Sequence, residues 1–212
     1  MEYPARKILL PLLPTFLDRY PHVKVDISIN AQFVDIIKEG FDAGICFGSH
    51  LEKDVISIPL TPPLRAAIVG SPKYFSMRGY PKSLKDLKDH DCINFHNARH
   101  GGNFRWIFQQ DSQTVELVEG GRIFVNDVPV SIQAAIAGLG LAYTFREHVT
   151  EHLATGTLEA CLTPYCPDWL GYHLYYPGRQ QKSPALTALI EHLSCPVYAS
   201  TEETRHLNVR NL

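Results

Sequence analysis

His148, Glu151 and His152 lie in the run His-Val-Thr-Glu-His, an order of residues that can do zinc chemistry. Two imidazoles four residues apart share one face of a helix and can hold an ion, and the glutamate between them can activate a bound water. The five residues satisfy the H-x-x-E-H pattern of one class of zinc peptidase. A working site also needs a third protein ligand from a neighbouring element and a groove for the peptide. The surrounding sequence offers neither, so two exposed histidines on a surface helix are expected. Ser71-Pro72-Lys73 sets a nucleophile beside a base, but adjacency along the chain does not aim one at the other. A helix cap and start is the plainer reading. Gly138-Leu139-Gly140 ends a helix and opens a strand, the reverse of the strand-glycine-helix order that cradles a dinucleotide. Cys161 and Cys166 lack a second pair at metal spacing. His96 and His100 flank Asn97 and Arg99 in a polar loop. Nowhere do a nucleophile, a base and an orienting group come together, so no catalysis, metal or cofactor is expected.

The elements that must position any site follow from periodicity. Ile8, Leu9, Leu12, Leu13, Phe16, Leu17 and Tyr20 repeat at helical spacing, with Pro11 and Pro14 forcing a late start or a bend. VKVDISIN alternates strictly and predicts a half-buried strand. QFVDIIKE predicts a short helix closed by Gly40, and FDAGICFG a strand covered on both faces. VISIPL and LRAAIVG predict strands. Ser71-Pro72 opens a helix, and Ser83 with Asp86 opens another by a capping box. CINF, FRWIFQQ, TVELVEG and RIFVN predict strands, with a hairpin turn at Asp111-Ser112. Asp127 caps a helix through VSIQAAIAG, strand LAYTF follows, and REHVTEHLATG predicts a further helix. LEACLTPY and YHLYYPG predict strands, and Ser183-Pro184 opens the helix ALTALIEHL. Strands alternating with helices twice over indicate two α/β lobes.

Size and charge narrow the possibilities. A chain of 212 residues with 45% hydrophobic and 20% charged residues is ordinary for a soluble globular protein, and it can bury roughly 70% of its extended surface. A net charge of −2 without a basic cluster gives no grip on a phosphate backbone. The first apolar run, ILLPLLPTFL, is too short and too broken for a membrane span. Five widely spaced cysteines fit thiols in a reducing cytoplasm better than a disulfide framework.

EGFDAGICFG, PLTPPLRAAIVGSPKYF, DLKDHDCINF, RWIF, VND…AAIAGLGLAY and HLYYPGRQQKSPALTALIEHL occur in one order and spacing. Together they resemble the effector-sensing domain of LysR-type transcriptional regulators over about residues 5–195. The resemblance implies a fold like type II periplasmic binding proteins: two Rossmann-like lobes joined by two crossing strands, LRAAIVG and YHLYYPG, with a small-molecule cleft between. Lobe I would take 1–63 and 172–212, and lobe II 64–171. The family's winged helix-turn-helix, linker helix and opening strand have no counterpart here, nor does the family need the tail beyond Pro196.

Ligands of open α/β lobes meet the carboxyl ends of strands and the amino ends of the following helices. That logic selects Asn30, Ala31, Gln32, Gly48, Ser49 and His50 in one lobe, and Phe95, His96, Asn97, Asn126 and Asp127 in the other. Tyr143, Phe145, Arg65 and Arg105 are further candidates. The implied partners are a small-molecule effector, often an anion, and further copies in a homodimer or tetramer. Leu9, Leu12 or Leu13 would lie at the contact between copies, DNA would be reached only through a domain outside this chain, and there would be no membrane. The alternative is a free-standing solute-binding receptor of the same fold.

Overall fold

The computed structural model describes residues 2–30, 35–51, 55–96, 104–117, 120–178 and 182–193. They divide into two compact units. A discontinuous unit takes Glu2–Ile29, Val34–Pro63 and the chain from Leu170 on; a central unit takes Leu64–Trp169, with Asn30 grouped to it.

The discontinuous unit opens with a helical turn, Glu2–Pro4, and a π-helical stretch, Ala5–Leu9. Helix α1 (Leu10–Arg19) follows, with Pro11 in its first turn and Pro14 inside it. The prolines lack the N–H groups that a regular helix would direct at the Lys7 and Leu10 carbonyls. The wider π turn spans the first of these. Leu12 and Phe16, four apart, turn inward, while Leu10 stays 51% exposed.

From Val23 to Asn30 the chain forms no strand and joins no sheet, contrary to the predicted strand. A strand needs a hydrogen-bonded neighbour as well as an alternating pattern. None is in place among the described residues, and Val25 and Ile29 stay exposed. The helix predicted for QFVDIIKE is also not formed over its described part. The Asp35 carboxylate accepts from the N–H of Ile37 at 3.1 Å and of Lys38 at 3.3 Å, a local bond that competes with helix continuation. Gly40 closes these turns in the left-handed region, at φ 76°. Strand β1 (Gly44–Phe47) buries only Cys46, so it is not covered on both faces. Strand β2 (Val55–Pro59) completes this half of the unit.

The central unit is built on β3 (Leu64–Gly70). Helix α2 (Pro72–Arg78) starts where the Ser71 hydroxyl accepts from the Tyr74 N–H at 3.3 Å. The Ser83–Asp86 capping box opens a 3-10 turn, Leu84–Asp89. Then come β4 (Cys92–Phe95), β5 (Trp106–Gln110), β6 (Gln113–Leu117) and β7 (Ile123–Val125). Asp111 and Ser112, both at positive φ, make the tight turn between β5 and β6. Helix α3 (Val128–Ile136), β8 (Leu141–Phe145), α4 (Thr150–Ala154), β9 (Glu159–Cys161) and β10 (Asp168–Trp169) finish the unit. The main sheet runs β10-β3-β8-β4-β7, with β9 also on β3. β4 lies parallel to β7 and β8, and β3 runs antiparallel to β8.

The period of two along β3 sorts the core. Ala66 and Ile68 join a cluster with Phe75, Leu87, Trp106 and Phe108. Ala67 and Val69 join another with Ile93, Ile132, Ala135 and Leu158. The sheet is thus covered on both faces, by the β5–β6 hairpin and α2 on one and by α3 on the other.

The chain returns to the discontinuous unit through β11 (Tyr172–Pro177), which lies between β1 and β2 and antiparallel to both. Gly44 faces Tyr175 across the ladder, and a Cβ there would come within 2.6 Å of the tyrosine ring. Helix α5 (Pro184–Leu193) packs on α1, where His192 Nε2 lies 3.1 Å from Thr15 Oγ1.

Candidate functional site

Three parallel strands, β4, β7 and β8, share a carboxyl edge in the central unit, and the chemistry-bearing loops gather there. The Phe95–Val125 pairing sets the ends of β4 and β7 side by side. The His96 N–H continues the ladder to the Val125 carbonyl at 2.9 Å. The His96 ring stacks on Phe124 at 5.7 Å. Phe95, His96, Asn126 and Asp127 therefore stand in one patch, with His96 and Asn126 exposed. Asn97 lies outside the described residues.

Asp127 occupies the cap position of α3, at φ −135° and ψ 132°, but its side chain makes no capping hydrogen bond. The expected cap is present in backbone geometry alone. The first turn of α3, where a proline sits, keeps its unshared N–H groups directed at this edge. The carboxylate and the helix end are separate resources here.

In the discontinuous unit Gly48, Ser49 and His50 form a 3-10 turn directly after β1. The Gly48 N–H donates to the Gly171 carbonyl at 2.9 Å. A Cβ on Gly48 would sit 2.7 Å from His173 Nε2 and 2.9 Å from Leu170 Cβ, so glycine is needed for the close approach. His173 was not among the sequence candidates. Burial pushes its imidazole below the ordinary histidine range, and its buried Nδ1 has no hydrogen-bond partner among the described residues. A histidine between the buried Tyr172 and Leu174 of an apolar strand is the signal that could have found it. Asn30 is exposed at the end of the irregular segment 23–30; Ala31 and Gln32 lie outside the described residues.

The remaining candidates are committed elsewhere. The Tyr143 hydroxyl donates to the Ile107 carbonyl at 2.8 Å, and burial raises its pKa. The Phe145 ring meets His148 and Trp169 edge-on. Arg65 pairs with Asp168 at 3.9 Å and Arg105 with Glu116 at 3.5 Å.

The His-Val-Thr-Glu-His run does not form one helix. His148 ends a 3-10 turn, Val149 breaks the path at φ −119° and ψ 10°, and α4 starts at Thr150. The expected pair of exposed histidines on one helix face is corrected by this break. His148 is instead largely buried, its Nδ1 lies 3.5 Å from Thr144 Oγ1, and burial pushes its pKa down to about 4. Among the described residues no three His, Cys, Asp or Glu side chains converge as a metal site would require. Cys161 and Cys166 are buried thiols, pushed up to about 12 and about 11.

Residues 1–195 match the LysR substrate binding domain family. The chain belongs to that family. A Pseudomonas aeruginosa protein provisionally named as a transcriptional regulator is 40% identical over 192 residues, covering 91% of this chain and 63% of its own length. The HTH-type transcriptional regulator PgrR of Escherichia coli K12 is 37% identical over 193 residues, covering 91% of this chain and 64% of its own length. This LysR-family chain thus spans less than two thirds of the length of these two relatives. Its fold is similar to the regulatory domain of CrgA, a LysR-type transcriptional regulator from Neisseria meningitidis. That likeness has a TM-score of 0.73 and 18% identity, and covers 91% of this chain and 93% of that one. Among the described residues no helix is long and apolar enough to cross a membrane.

Proposed function

We propose that this chain is the effector-sensing domain of a cytoplasmic LysR-type transcriptional regulator and carries out no catalysis. The observation that carries the reading is the family match over residues 1–195, joined to 40% and 37% identity with transcriptional regulators. DNA would be contacted by another part of the whole protein, and ligand binding here would bias how that part is held. A ligand does this only by preferring one arrangement of the protein over another.

The proposed site comprises the loops at 30–32, 48–50, 95–97 and 126–127, as two lobes of a type II binding-protein fold, 1–63 with 172–212 and 64–171, would present them. The α3 N-terminus supplies donors for a carboxylate, worth roughly 0.3–1 kcal/mol when exposed. Asp127, whose carboxylate makes no cap bond, would repel a bare anion but accept from a hydroxyl or ammonium group. A small acid that also carries a donor fits both. His173, beside Gly48 and with an Nδ1 that has no hydrogen-bond partner among the described residues, is added to the set.

A thermal-shift screen of amino acids, hydroxy acids and simple carboxylates tests this. A ligand at a hundredfold excess over its Kd should stabilise by about 2.7 kcal/mol, and Asn126→Ala and Asp127→Ala should weaken it. A true ligand that ignores both substitutions, yet is lost on changing a residue outside these loops, places the site elsewhere.

We further propose a homodimer or larger assembly. Leu12, one of the residues expected at the contact, is buried within its own chain. Leu10 takes its place, with Leu9 and Leu13. Exposed Leu10, Phe124 and Val130 provide apolar surface on α1, β7 and α3.

A further inference from the structure

The central unit has a second concavity at the opposite edge of its parallel strands, away from the loops discussed above. It gathers Asp91 just before β4, Ile123 at the start of β7, and Gly138 and Leu139 just before β8, with Met77 and Arg78 of α2. Its volume is about 430 Å³, within the range of small-molecule sites, roughly 300–1,000 Å³. Gly138 is left-handed at φ 80° and presents no side chain to the space.

Among the described lining residues the charges do not cancel. Arg78 Nη2 donates to Asp91 Oδ2 at 3.2 Å, and Arg122 Nε lies 3.5 Å from Asp91 Oδ1. One carboxylate therefore faces two guanidiniums, each with five N–H donors. Among the described residues neither arginine has another hydrogen-bond or ion-pair partner. Arg122 is 85% exposed, with its terminal nitrogens left over. His90, next in the chain, adds no charge near neutral pH, since burial and Arg78 hold its pKa down. Asp86 and Asp89 act on His90 but do not line the cavity. Around the surplus charge stand apolar walls that water serves poorly: Met77 is 63% and Leu139 51% exposed.

We propose that this cavity is a second ligand site, for an organic carboxylate with an apolar body. Its carboxylate lies against Arg122 and Arg78, and its body covers Met77, Ile123 and Leu139. A planar fork of N–H donors matches a carboxylate in two-point contact, and the walls give the apolar remainder something to displace water from. Because the cavity belongs to the central unit alone, this site does not depend on the effector loops proposed above.

The sequence provides a direct probe. It has two methionines, Met1 and Met77, so in protein labelled at the methionine methyl carbon one resonance reports the cavity. Octanoate, octanamide and inorganic phosphate are titrated separately. The expected result is a saturable shift of the Met77 methyl with octanoate and with neither control. Arg122→Gln, at a position 85% exposed, should weaken octanoate roughly tenfold, and Arg78→Gln should do the same from the other side. No movement of Met77 with octanoate overturns the proposal. An equal response to octanamide reduces the site to apolar surface, and an equal response to phosphate reduces it to a bare anion contact; either outcome also overturns it.

Discussion

Replacing His148 by asparagine removes a buried imidazole while leaving an amide within reach of Thr144 Oγ1. In the wild type the imidazole titrates at about 4 in the folded protein because burial disfavours its charged form, against 6.5 ordinarily. Above pH 6.5 folded and unfolded chains both hold it neutral and there is no linkage. Below 6.5 the unfolded chain takes up a proton that the folded chain refuses, so stability falls until about pH 4, where the folded state protonates as well. The gap between 6.5 and about 4, at about 1.4 kcal/mol per pH unit, comes to about 3.5 kcal/mol, of which about 3 kcal/mol is developed by pH 4. His90 and His173 are shifted in the same direction, so the wild-type curve alone does not isolate His148. The difference between wild type and His148→Asn does. Urea unfolding at pH 7, 6, 5 and 4 should show the variant less stable at pH 7 through lost packing against Phe145. It should then gain on the wild type by about 3 kcal/mol as pH drops. A difference that stays flat across that range, or moves the other way, refutes the claim that this imidazole is buried and neutral.

Ser71→Ala should cost about 1 kcal/mol, because its hydroxyl caps α2, whereas Asp127→Ala should cost clearly less by thermal melting, because its side chain caps nothing. Gly121→Ala should cost on the order of 3 kcal/mol or more in urea unfolding, since its Cβ would lie 1.9 Å from the Cys92 carbonyl oxygen. Cys161 and Cys166 should stay unmodified by iodoacetamide at pH 8 in native protein and react after denaturation, read by peptide mass spectrometry, because thiols pushed to about 12 and about 11 hold almost no thiolate there. Leu10→Glu should shift the assembly towards monomer in light scattering, and Leu12→Glu should instead impair folding, since Leu12 points inward.

Local chemistry was legible in the sequence wherever one element settled its own fate. LRAAIVG gave a strand, Ser71 and Ser83 gave helix starts, and Asp111-Ser112 gave the hairpin turn. Where a partner decided the outcome, the pattern misled. Val23 to Ile29 alternates like a strand yet joins no sheet among the described residues. His148 and His152 have helical spacing, but Val149 breaks the helix between them. The loops at 95–96 and 126–127 could be chosen from strand order, and they do lie side by side. His173 could not be chosen by strand order, since its place beside Gly48 is set by a ladder between strands far apart in the chain, and only its position inside the apolar run YHLYYPG marked it.

That ladder has a kinetic consequence. β1 and β2 have a common partner in β11, and β11 follows only after the whole central unit has been made. During synthesis the first two strands leave the ribosome without the strand that joins them, while the central unit already holds everything its own sheet requires. The large chain loop that must close makes the β1–β11–β2 sheet the slow step. Both tryptophans, Trp106 and Trp169, sit in the early-forming unit. Their emission therefore recovers on refolding before Tyr172, Tyr175 and Tyr176 leave water, and a tryptophan signal alone would report the chain finished while its outer strands are still unpaired.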